Sequence, residues 1–204
     1  MNVKDSIRKR LNKSFAIISL VCSIGLVICG ISLFAISSQY HNALTNYGFA
    51  QGDIGKAMTT FSETRSALRA VIGYDDESEI NSEKKNYETK KKAFEGFMQD
   101  IESKMMTKAG KEAYQQAESA LNGYWTKADA ILQQGSTTDK IASSAAQHKE
   151  IDELGPMYDE IYASLKNIMD IKVAKGNSVQ GTLNVVKYLS LIHISEPTRR
   201  VVIS

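Results

Sequence analysis

The chain has 204 residues, 43% hydrophobic and 24% charged, with 25 Lys and Arg against 23 Asp and Glu for a formal net charge of +2. Two cysteines exclude a disulfide framework or a four-thiolate zinc site, and two prolines with few aromatics argue against an all-β domain. Three scattered histidines leave little for metal or acid–base chemistry, so no enzyme, catalytic residue, metal ligand or cofactor is expected.

Residues 1–13 form a basic head, with Lys4, Arg8, Lys9, Arg10 and Lys13 against Asp5. Residues 14–37 then read as a transmembrane helix. Phe15 to Ile36 is 22 residues without a charge or proline. At about 1.5 Å per residue it spans ~33 Å, enough for a hydrocarbon core of about 30 Å. It exceeds the apolar region of a cleavable signal, so a retained anchor is expected. The basic flank predicts a cytoplasmic N-terminus and an extracytoplasmic body. Cys22 and Cys29 share one helix face as small packing residues, and Gly25 and Gly30 do not make a GxxxG pair.

From residue 38 the pattern becomes amphipathic. Tyr40, Leu44, Tyr47, Gln51, Ile54, Met58, Phe61, Arg65, Leu68 and Ile72 alternate spacings of four and three, the rhythm of a bundle seam. Ala43, Ala50 and Ala57 run beside it and widen the buried stripe. Nothing between Ile36 and Tyr40 breaks a helix, so span and seam are expected to be continuous up to Gly73 and the acidic run Asp75, Asp76 and Glu77. A second helix is predicted over about 79–106, with Ile80, Tyr87, Phe94, Met98, Ile101 and Met105 on its seam. Its lysine-rich opposite face reads as solvated, with i,i+4 pairing. Thr107 and Gly110 mark a turn, and a third helix follows over about 111–134, aligning Tyr114, Ala117, Leu121, Tyr124, Ala128 and Ile131. Residues 135–139 form a turn-and-cap cluster. The fourth helix runs from about 140 past 180, with Ile151, Leu154, Tyr158, Ile161, Leu165 and Ile168 inward. Pro156, after Gly155, is expected to kink it.

The predicted fold is therefore all-α: a membrane helix continuing into an antiparallel up-down four-helix bundle over residues 38–182. The bundle region carries 17 basic and 21 acidic residues, which does not read as a nucleic-acid binder. Gly48, Gly52 and Gly55 lack the ending of a phosphate loop, His41, His148 and His193 lack a second ligand at metal spacing, and the acidic pairs read as caps and solubilising groups. Arg65 stands out, because a guanidinium on an apolar seam is costly unless paired or facing a ligand. Arg69 follows one turn later. Two readings are open: a strut paired to Asp or Glu of an adjacent helix, or an anion clamp.

The basic head, the uncut span and the stretches QGDIGKAM (51–58), TRSALRAVI (64–72) and DELGPMYDEIYASL (152–165) together resemble the start of a bacterial methyl-accepting chemotaxis receptor over about residues 1–188. The resemblance implies a receptor in the inner membrane. It also implies a homodimer that binds a small, possibly anionic, molecule through first-helix arginines, for which Arg65 and Arg69 are the matching positions. A receptor of this kind continues into a second span, a HAMP linker and a kinase-coupling cytoplasmic hairpin. Residues 183–188 read as the start of a second span that fails after Ile194, and LSLIHISEPTRR resembles a translated sequencing-adapter tail, so 189–204 is expected to be non-native and the chain a sensory half. The same bundle also suits the sensor module of a histidine kinase or cyclase, or a membrane-anchored structural protein.

Overall fold

The computed structural model describes residues 3–201, and the side chains of residues 7–182 and 184. In chain order it contains α1 (Val3–Ala43), a π-helical turn (Leu44–Gly48), α2 (Phe49–Gly73), α3 (Glu77–Ser103), α4 (Lys108–Gly135), α5 (Lys140–Lys149), a second π turn (Glu150–Leu154) and α6 (Gly155–Val201). No strand occurs among the described residues. The chain divides into two units: 1–42 with 183–204, and 43–182.

In the first unit α1 is helical throughout, and its apolar side chains are exposed on every side. Phe15, Leu20, Leu26, Ile31 and Phe34 are all more than half exposed. A helix apolar all round has no water-facing side and suits a lipid surroundings. Within it Ser23 returns its hydroxyl to the Ser19 carbonyl at 2.8 Å, so its polar group is satisfied inside the helix. The expected second-span start at 183–188 and the expected non-native tail at 189–204 fall almost wholly on residues whose side chains lie outside those described.

The second unit is the bundle. Its helices α2, α3, α4 and the α5–α6 pair are joined by short connections at 74–76, 104–107 and 136–139, and each new helix begins on a side-chain cap. Asp76 accepts from the Ser78 and Glu79 amides at 2.9 and 3.0 Å. Thr107 Oγ1 accepts from Gly110 at 3.1 Å, and Asp139 from Ile141 at 2.9 Å. Each cap satisfies amide donors that no preceding turn reaches. The Thr107 cap also corrects one expectation: Gly110 is not in the turn but in the first turn of α4, which starts at Lys108.

The core contains most of the predicted seam residues, with two shifts of position. On α2 the buried series is Ala50, Ile54, Ala57, Phe61, Thr64, Leu68 and Val71. The alanine row supplies half of the packing seam, whereas Met58 and Arg65 flank it and Tyr40 and Leu44 are exposed. Small residues at these positions let the helices approach closely around the large side chains between them. On the last arm Ile151 is 60% exposed, and the buried residue is Glu150 at 2%. The reason lies in Pro156. It has no amide to donate to residue 152, and its ring crowds that carbonyl; the π turn immediately before it relieves the clash while the helix continues. The wider turn puts Glu150, not Ile151, one turn above Leu154 on the inner face. The lysine face of α3 differs too: Lys90 and Lys91 pair with Glu63 of α2 and Asp129 of α4, at 2.7 and 3.0 Å, instead of along their own helix.

Candidate functional site

Arg65 and Arg69 are one turn apart on α2, and both reach the inward-facing carboxylate of Glu150. Arg65 Nε donates to Glu150 Oε1 at 2.7 Å, and Arg69 Nε donates to Oε2 at 2.8 Å. Glu150 is 2% exposed, the Arg65 side chain 15% and the Arg69 side chain 51%. The cluster therefore runs from the core to the surface, with Arg69 at its outer end. Two guanidinium groups share one carboxylate, leaving one positive charge in excess.

Aromatic rings hold the inner end. The Arg65 guanidinium carbon lies 4.4 Å from the centroid of the Tyr158 ring. That ring stacks on Phe61 at 5.0 Å and 12°, and its hydroxyl is 2.6 Å from Ser62 Oγ. Phe61 in turn meets Phe94, Tyr124 and Trp125 with centroids 5.1–5.8 Å apart. A weakly hydrated, planar cation suits such a face, and the surrounding low dielectric strengthens its pairing with Glu150. Burial pushes the Tyr124 hydroxyl far above its ordinary ionisation range, with Arg65 opposing and Glu150 reinforcing the shift. Chemically this is a carboxylate-binding pair of arginines whose carboxylate comes from the same chain.

A second charged group is buried at the opposite end of the bundle. Lys172 is 3% exposed and donates to the backbone carbonyls of Asn46, at 3.1 Å, and Lys104. The Lys104 side chain is itself paired with Asp53. Among the described residues no carboxylate pairs with Lys172. Burial, and next the Lys104 ammonium, hold its pKa down at about 8 against the usual 10.5. The folded protein therefore releases this proton near pH 8, while the unfolded chain keeps it to about pH 10.5. Between those values the unfolded state binds more protons, so stability rises with pH, by up to about 1.4 kcal/mol per pH unit. Denaturant titrations at pH 8, 9 and 10 check this: wild type gains stability across the series, and Lys172→Met lacks that gain. Equal slopes in the two proteins would contradict the assignment.

The structure thus brings the two sequence-predicted site residues, Arg65 and Arg69, together on one partner. Glu150 and Lys172 were not singled out by sequence reasoning. For Lys172 the signal was present, because Ile161, Leu165, Ile168 and Lys172 continue the four-three spacing. For Glu150 it was masked by the apolar Ile151 beside it. Among the described residues no group of His, Cys, Asp and Glu is placed to hold a metal ion. His148 Nδ1 lies 2.8 Å from the Ser144 carbonyl of its own helix.

The family described as a four helix bundle sensory module for signal transduction matches residues 2–184. No curated protein and no solved structure matches the chain.

Proposed function

From the fact that this chain belongs to the four-helix-bundle sensory modules of methyl-accepting chemotaxis proteins, we propose that it is the sensing part of a transmembrane chemoreceptor. In this reading α1 crosses the inner membrane with its N-terminus in the cytoplasm, and the bundle lies outside. The bundle is not an enzyme; it pairs with a second copy and binds a small anionic molecule. Kinase-coupling partners are reached through a cytoplasmic region outside these residues.

The observation that carries the reading is the pair of arginines converging on Glu150. An incoming carboxylate competes with Glu150 for Arg65 and Arg69, entering past the exposed side of Arg69. Glu150 stands on the π turn that leads into α6, so its release removes a tie between α2 and the start of α6. Ligand binding then biases two arrangements of the bundle, and it does so only by the difference in its affinity for them.

Melting scans of the full chain in detergent, against a panel of amino and organic acids, test the proposal. At least one acid raises the midpoint of the wild type through mass action. Arg65→Ala and Arg69→Ala abolish that shift, since a charged hydrogen bond contributes roughly 1.5–3 kcal/mol, about 10- to 150-fold in affinity. A wild type that responds to no anion would contradict it.

A further inference from the structure

The two π turns have different origins. The second, Glu150–Leu154, relieves the clash that Pro156 would otherwise cause. The first, Leu44–Gly48, has no such reason, since the prolines of the chain are Pro156 and Pro197. Within it the Phe49 amide donates to the Leu44 carbonyl, five residues back, where an α-helix would use the carbonyl of Thr45. A π turn is rare, and it needs something outside the backbone ladder to hold it.

What meets this turn is Lys172. Its ammonium donates to the Asn46 carbonyl, in the middle of the turn, and lies 5.5 Å from the centroid of the Tyr47 ring. One turn further along α6, Gly176 lets the two segments touch: a Cβ there would stand 3.4 Å from Tyr47 Cβ and 3.8 Å from Gln51 Nε2. A side chain that enters the carbonyl ladder of a helix is a known cause of a local break in it. The other acceptor is the Lys104 carbonyl at the end of α3, so one ammonium joins three segments. The charged and titratable groups that face it from the elements packed against it are Lys104, whose own ammonium pairs with Asp53 of α2, and Tyr47.

The strength of this hold depends on charge. A hydrogen bond from an ammonium is roughly twice as strong as one from a neutral amine, and Lys172 is too buried for water to take the place of the carbonyls. We propose that the charge on Lys172 holds the first π turn, and that loss of its proton returns residues 44–48 to α-helix. The turn is then a two-state element, biased by α6, at the place where α1 continues into α2. The change falls near pH 8, where the folded protein releases this proton. It agrees in sign with the rise in stability above that pH, since the buried charge disappears as the regular backbone ladder is restored. The second π turn is fixed by the ring of Pro156 and does not respond. The device is independent of the arginine pair and needs no ligand.

Amide hydrogen exchange of the full chain in detergent, between pH 7 and 9.5 and corrected for the intrinsic pH dependence of exchange, tests this. In wild type the protection of residues 44–50 rises about tenfold across the series, the equivalent of one charged hydrogen bond. Residues 150–155 keep constant protection. Lys172→Met, unbranched and uncharged, shows the high-pH protection of 44–50 throughout, and Lys172→Arg, charged at every pH, stays at the low-pH level. Wild-type protection of 44–50 that does not change with pH would overturn the proposal, whatever the variants do. So would an equal rise at both π turns, which would mark a change in the stability of the whole bundle, or an unaltered pH dependence in Lys172→Met.

Discussion

Replacing Glu150 with alanine lowers the melting midpoint of the ligand-free protein by roughly 6–20 °C. Removing one partner of a buried ion pair costs about 3–5 kcal/mol, because it strands the other, and each kcal/mol moves the midpoint by about 2–4 °C at this chain length. Here the stranded groups are Arg65, held against the Tyr158 ring with its side chain 15% exposed, and Arg69, which can turn to water. The two single arginine variants lose less, since Glu150 keeps one guanidinium in each. The Arg65→Ala/Arg69→Ala double variant strands a carboxylate that is 2% exposed, and its loss matches that of Glu150→Ala. Midpoints near wild type for Glu150→Ala and the double variant would show that the cluster does not hold the bundle together.

A loss of similar size is expected at Phe61, for a different reason. Its side chain is 0% exposed and lies within 5.8 Å, centroid to centroid, of Phe94, Tyr124, Trp125 and Tyr158. Phe61→Ala opens a cavity at the point where all these rings meet, and such truncations cost about 3–5 kcal/mol. It also removes the ring on which Tyr158 stacks, and Tyr158 supports Arg65. The variant therefore loosens the arginine cluster as well as the core. Phe61→Leu keeps most of the volume and loses less. Urea titration of both variants separates the outcomes; equal and small losses would mean that the rings do not pack as described.

The arrangement of helices was legible in the sequence because long four-three runs of apolar residues leave few ways to bury them, and the caps at Asp76, Thr107 and Asp139 are local signals. The level of each seam was harder to read. On α2 a reader follows the largest apolar residues, yet alanines and Thr64 share the buried face, so the stripe sits one position away from Arg65. Near Pro156 the periodicity itself changes. A π turn uses more residues than an α turn, and no run of side chains announces it, so Ile151 reads as core and Glu150 beside it draws no notice. That single displacement hid the partner of the arginines, although the arginines themselves were conspicuous.

In the proposed function, Arg65 and Arg69 form a carboxylate site, and Glu150 fills it through the two hydrogen bonds at 2.7 and 2.8 Å. Chemical rescue tests it most directly: melting scans of wild type, Glu150→Ala and Arg65→Ala/Arg69→Ala in acetate, with chloride at equal ionic strength as the control. Acetate raises the midpoint of Glu150→Ala well above its value in chloride. Wild type, already supplied with a carboxylate, responds less, and the double arginine variant shows no acetate-specific response. An acetate effect of equal size in all three proteins, or none in Glu150→Ala, would contradict it.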